Sequence, residues 1–167
     1  FDDGSCLYLS ELLVDYSSGW NIVGLPMEVE DSNYQTLFPN AQSGTLYSFN
    51  GIYQSEGTLE QGTGYLLRLT TDDSISFLGI PTEELTIPLS AGWNLFSGLS
   101  SSLSPEDIYA QDIIQSGTIY GLDGIYFSPE SIEPGKGYWV RAIVDGEITI
   151  EPYVPPVLNV YSLDFDG

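Results

Sequence analysis

The chain has no histidine, one cysteine and only three basic residues among its 167. Without histidine, the commonest general base, the usual zinc ligand and the base of a serine triad are all missing. No Gly-x-Ser-x-Gly elbow is present either. Cys6 stands alone and cannot form an internal disulfide, so the fold must rest on its core. In an exported chain, an odd cysteine points to a partner elsewhere in a longer protein. No apolar run approaches the roughly 18 to 20 residues that cross a bilayer, which argues against membrane insertion. Three Lys and Arg face 24 Asp and Glu, for a net charge of −21. Such a surface repels phosphate backbones and anionic lipid, so nucleic acid is excluded as a partner. It suits saline or calcium-containing surroundings, where cations screen the self-repulsion.

What is present is a core. Hydrophobic residues make up 42% of the chain and aromatic residues 13%, with 12 tyrosines, a composition that disordered chains lack. The chain is long enough for one ordinary domain or two small ones leaning on each other. It opens on Phe1-Asp2-Asp3-Gly4 with no apolar leader, and reads as a piece of a longer exported chain.

The sequence is also internally repeated, at an offset of 73 residues. Ser43-Gly44-Thr45-Leu46-Tyr47 returns as Ser116-Gly117-Thr118-Ile119-Tyr120, and Gly19-Trp20-Asn21-Ile22 returns as Gly92-Trp93-Asn94-Leu95. Arg68 falls on Arg141, and half the positions from Ser43 to Arg68 are identical without a gap. This divides the chain into a remnant of an upstream repeat (1–10), a first unit (11–80), a second unit (81–152), and a connector with a strand or the start of a next domain (153–167).

Each unit reads as strands joined by tight turns, with one short helix. Leu85-Thr86-Ile87-Pro88-Leu89 alternates apolar with polar or exposed-type residues. Ser104-Pro105-Glu106-Asp107 is a helix start, with a serine cap, proline at the first helical position and acids in the first turn. Its counterpart near Asp31-Ser32-Asn33-Tyr34 stops before Pro39. Asn50-Gly51 and Asp123-Gly124 are hairpin turns of type I′, which requires φ > 0 at both central residues. Gly137–Arg141 and Gly146–Ile150 are expected to pair around Asp145-Gly146. The predicted architecture is mainly β: two repeats forming a pseudo-twofold sandwich or barrel-like body, with separate beads as the alternative.

Gly-Trp-Asn-Leu followed by Pro134-Gly135-Lys136-Gly137-Tyr138-Trp139-Val140 resembles a β-rich repeat of large secreted bacterial surface proteins. The likeness runs from about Ser17 to Ile150, twice over, and the first copy departs from it with Gln61-Gly62-Thr63-Gly64-Tyr65-Leu66-Leu67. Asp2-Asp3-Gly4-Ser5-Cys6 resembles the end of a short cysteine-containing repeat of modular exported proteins. The resemblance implies a modular protein outside the cell or on the bacterial surface, with adhesive or carbohydrate-handling neighbours, and no assigned catalytic role.

Among candidate site residues, alternation puts Trp139 on the face opposite Tyr138 and Val140, where with Tyr126 and Phe127 it would form an aromatic patch for sugars. A second buried sandwich face is the competing reading. Trp20 and Trp93, repeated at a strand start, read as core. Arg68 and Arg141 read as structural, in an ion pair or stacked on an aromatic ring, with an acidic sugar or carboxylate as the functional alternative. Calcium is the cation to consider, with Asp72, Asp73 and Asp145 as candidate ligands, although no loop of the Asp-x-Asp-x-Asp-Gly type is present. An aspartic-protease pair would need Asp in both halves, where one half has Asn50. The expected function is a non-catalytic extracellular binding module for glycan or a surface protein. A spacer or protein-interaction module of an adhesin is the alternative, and a glycan-active enzyme the third.

Overall fold

The computed structural model describes residues 9–152. Cys6, the Asp2-Asp3-Gly4 cluster and the strand expected over Val157–Leu163 lie outside them. The first half runs β1 (Ser10–Tyr16), β2 (Gly19–Gly24), β3 (Met27–Glu28), α1 (Tyr34–Leu37), β4 (Tyr47–Phe49), β5 (Tyr53–Ser55), β6 (Gly64–Leu69) and β7 (Asp73–Pro81). The second runs β8 (Leu85–Leu89), β9 (Gly92–Ser97), α2 (Pro105–Tyr109), β10 (Gly121–Asp123), β11 (Ile125–Phe127), β12 (Gly137–Ala142) and β13 (Gly146–Ile150). The protein is mainly β, in several antiparallel sheets, with two short helices.

The pairings recur in register at the offset of 73. Val14 faces Ile75 as Ile87 faces Ile148, and Trp20 faces Arg68 as Trp93 faces Arg141. Phe49 faces Tyr53 as Leu122 faces Tyr126. Each half is two-layered. In the first, β1–β7 turns Val14, Tyr16, Ile75 and Phe77 onto Val23, Tyr65, Leu67 and Leu69 from β2–β6. In the second, β8–β13 turns Ile87, Leu89, Ile148 and Ile150 onto Phe96, Tyr138, Val140 and Ala142 from β9–β12. Fully burying each such side chain contributes about 1.5–3 kcal/mol, so each layer pair is held by its own apolar cluster.

The Ser104 cap forms as read, and the first unit has a cap of its own. Ser104 accepts from the Glu106 N–H ahead of Pro105, and Asn33 does the same for Gln35. Two expectations fail. Strands β12 and β13 do not pair with each other: β12 pairs with β9 and β13 with β8. The chain bends over 143–145, and the two strands enter opposite layers of one core, where each buries its alternate residues. The hairpins are not type I′ either, because only Gly51 (φ 79°) and Gly124 (φ 74°) are positive while Asn50 and Asp123 are not. A single glycine between Asp123 and its partner Ile125 turns the chain.

The two halves meet through backbone. Gly24 N–H donates to the Gly135 carbonyl at 3.0 Å, and Ser97 N–H to the Gly62 carbonyl at 3.0 Å. Val23 bridges Lys136 as Phe96 bridges Thr63. Shifted by 73, each contact becomes the other with the halves exchanged, the reciprocity that marks isologous contacts. A side-chain clamp at the strand starts is likewise repeated. Asn21 donates to the Ser17 and Gly19 carbonyls at 2.8 and 3.0 Å, and Asn94 to those of Ser90 and Gly92 at 2.9 and 3.0 Å. Asn21 is 7% exposed and Asn94 half-buried. Asn21→Ala should therefore cost about 1–3 kcal/mol in urea unfolding, and Asn94→Ala less, since water can replace its amide. Equal and negligible losses would deny the clamp any role.

Candidate functional site

In β12, Tyr138 and Val140 are buried, while Trp139 and Arg141 turn to the other face and are half-buried. Trp139 exchanges backbone hydrogen bonds with Tyr120 at 2.9 and 3.1 Å, which sets the two side by side. Across the β9–β12 register Trp139 faces Leu95 and Trp93 faces Arg141, so the two indoles are diagonal neighbours, 6.3 Å between centroids. From the first half, Phe49 of β4 packs its ring edge-to-face on Trp139 at 5.1 Å and carries Tyr53 at its own side, also at 5.1 Å.

With Tyr126 these side chains, Phe49, Tyr53, Trp93, Tyr120 and Trp139, line an open groove of about 430 Å³. Three of its rings are well exposed: Trp93 at 42%, Tyr53 at 54% and Tyr126 at 56%. The residues of the groove offer hydroxyl and indole groups but no carboxyl. At the counterpart positions the two rings that join the halves are leucines, with Leu66 for Trp139 and Leu122 for Phe49. Trp20 there keeps its tilted contact with Tyr47 at 6.4 Å, as Trp93 does with Tyr120 at 6.3 Å.

The structure thus brings Trp139 and Tyr126 together but not Phe127. One step along β11, Phe127 turns to the opposite side of the hairpin and packs against Gly121. Trp20 (44% exposed) and Trp93 are not core, contrary to expectation. Their outward direction follows from their partners: each faces an arginine across the sheet, and arginine seldom enters a core. Phe49, Tyr53, Trp93 and Tyr120 were not legible as site residues. The one available signal was that Trp93 shares a face with Arg141, and Arg141 with Trp139.

Among the described residues, Arg68 and Arg141 meet neither a carboxylate nor a stacked ring; each donates to a glutamine. Arg68 Nη1 donates to Gln42 Oε1 at 2.6 Å, and Arg141 Nη1 to Gln115 Oε1 at 2.7 Å. Their backbone N–H groups are met by the Thr45 and Thr118 hydroxyls at 3.2 and 3.0 Å. Each arginine is thus held beside a tryptophan by an uncharged partner.

A separate cleft of about 850 Å³ lies on the Phe127 side of the hairpin, and its lining includes Asp15, Asp72, Asp123, Glu130 and Glu133. Lys136 donates there to the Asp15 carbonyl and lies 4.3 Å over the Tyr16 ring. Burial lowers its pKa, opposed by the charges of Asp123, Asp15 and Glu133. Each calcium candidate accepts hydrogen bonds from the protein. Asp72 accepts from Ser18 N–H at 2.8 Å and Asp145 from Ala91 N–H at 2.8 Å. Asp73 accepts from Ser74 N–H and from the Asn40 amide, both at 2.9 Å. Among the described residues no three Asp, Glu, His or Cys side chains are grouped to hold a metal.

No described helix is long and apolar enough to cross a membrane. Set against family models, curated proteins and solved structures, the chain matches none of the three.

Proposed function

We propose that the chain is a non-catalytic extracellular binding module of a larger bacterial surface or secreted protein, and that it takes glycan in the aromatic groove. The observation that carries this reading is the convergence of six rings from two halves of the chain, with Tyr53, Trp93 and Tyr126 well exposed. Exposed tyrosine and tryptophan stack on the C–H faces of sugars and bury apolar surface from both partners, while their hydroxyl and indole groups remain free to hydrogen-bond. A spacer, by contrast, gains nothing from leaving such rings in water, since each would be more stable packed. With no histidine in the chain and no carboxyl in the groove, the commonest general acid–base groups are missing there.

Screening the purified chain on a broad glycan array, with and without millimolar calcium, tests the proposal. Reproducible binding is expected, and Trp139→Ala should weaken it about tenfold or more while the melting temperature shows the fold intact. Binding unchanged by that substitution would remove the groove from the site. Silence under both conditions would favour the spacer or protein-interaction reading.

A further inference from the structure

The walls of the groove do not share a plane. Trp93 and Trp139 meet at 88°, and Phe49 meets Trp139 at 76°. An extended sugar face asks for one flat platform, whereas rings at right angles form a corner whose walls a compact, rounded group can touch on several sides. The polar inventory points the same way. Three tyrosine hydroxyls and two indole N–H groups are all that the six lining side chains supply. A hydroxyl-covered ring driven into that corner would leave groups unpaired, at a cost. A quaternary ammonium, fully alkylated at nitrogen, has no N–H to leave unpaired, and its charge is attracted by the negative faces of the rings, tryptophan most of all.

The surrounding field favours the same charge. The chain carries −21, and the β10–β11 hairpin that offers Tyr126 to the groove has the acidic cleft, with Asp123 and Glu130, on its other side. That field repels acidic glycans and concentrates cations near the groove.

Resting on the reading of the groove as the binding site, the geometry points to a quaternary ammonium group, borne on the bound glycan, as the part of the ligand seated against Trp93, Trp139 and Phe49.

Calorimetric titration of the full chain with choline chloride, and with its uncharged isostere 3,3-dimethylbutan-1-ol, tests this directly. Choline should bind about tenfold tighter than the isostere, and should weaken as salt is raised. Tyr126→Phe, which keeps the ring, should retain binding, while Trp139→Ala should abolish it. Should Trp139→Ala perturb the fold, the exposed Tyr126→Ala replaces it and should weaken binding severalfold. Equal affinity for choline and the isostere would overturn the inference, because the corner would then be merely apolar. Choline binding indifferent to both alanine variants would also overturn it, by placing the cation elsewhere, such as the acidic cleft. Neutral oligosaccharides bound in a Trp139-dependent way, with no choline binding, would overturn the ammonium while the glycan reading stands. A proline-rich peptide bound in place of either would overturn both.

Discussion

Replacing Gly64 by alanine should destabilise the protein by about 3 kcal/mol, a fall of roughly 6 to 12 °C in melting temperature for a chain of this size. A Cβ at Gly64 would stand 2.7 Å from the Phe96 carbonyl oxygen and 2.9 Å from the Phe96 nitrogen. Those are backbone atoms of the other half, locked in the β9–β12 ladder, and cannot rotate aside. The counterpart, Gly137→Ala, meets the Val23 carbonyl oxygen at 2.9 Å and the Ile22 Cγ2 at 2.5 Å, so it should cost a similar amount. Gly57→Ala is the control, with nothing within 4 Å of its Cβ. Because Phe49 and Tyr53 reach the groove from one half and Trp93 and Trp139 from the other, a wedge between the halves should weaken ligand binding as well. Chemical denaturation of the three variants decides the matter. Equal stability of all three would mean that the halves are not in backbone contact at these glycines.

The second large effect is a loss of stability in alkali. Burial pushes Tyr138 up to about 12, helped by the Glu133 carboxylate and opposed by the Glu133 N–H that donates to its hydroxyl. Burial likewise holds Tyr16 well above its ordinary value, with Tyr138 adding to it, and raises Tyr65. A raised phenol binds its proton more tightly folded than unfolded. The contribution is therefore complete below the unfolded value near 10 and is lost as pH climbs through the folded one. For Tyr138 alone, that is on the order of 2 to 3 kcal/mol by pH 12. Lys136 works in the opposite sense: burial lowers its pKa, so the folded form releases its proton first and gains stability over the interval below 10.5. Of the 12 tyrosines, Tyr16, Tyr65 and Tyr138 should ionise late and together with unfolding in an absorbance titration. Tyr138→Phe should flatten the alkaline limb, at the expense of about 1 kcal/mol near neutrality for the unpaired Glu133 N–H. A smooth titration of all tyrosines near pH 10, with the fold intact, would contradict the burial of these phenols.

Much of this molecule was legible locally. Alternation in Leu85–Leu89 yields β8, with Ile87 and Leu89 inward. Ser104-Pro105 yields the start of α2. Alternation around Tyr138 sends Trp139 to the other face. These patterns work because a strand's period of two and a helix cap's span of three residues are properties of the chain itself, independent of what packs against it. The repeat was legible for a related reason, since equal local sequence makes equal local hydrogen bonds, as in the Asn21 and Asn94 clamps.

What a strand pairs with was not local. Asp145-Gly146 signals a reversal, yet whether β13 then joins β12 or crosses to β8 depends on which arrangement closes the core, a choice made by Ile148 and Ile150 together with Ile87 and Leu89. The two tryptophans read as core because repeated aromatics usually are, and only their partners, Arg68 and Arg141, show them facing outward.

The sequence by itself determined the alternation of β8 and β12, the serine cap of α2, the repeat and a net charge of −21. Only the tertiary structure decided that Phe49 meets Trp139 across 90 residues of chain, that Trp93 lies diagonal to it, and that Phe127 leaves the cluster. The physical reason is that a groove between two halves is built from contacts with no sequence period. Its rings are held in place by the backbone bonds of Gly24 with Gly135 and of Ser97 with Gly62, whose partners nothing in the local chain specifies.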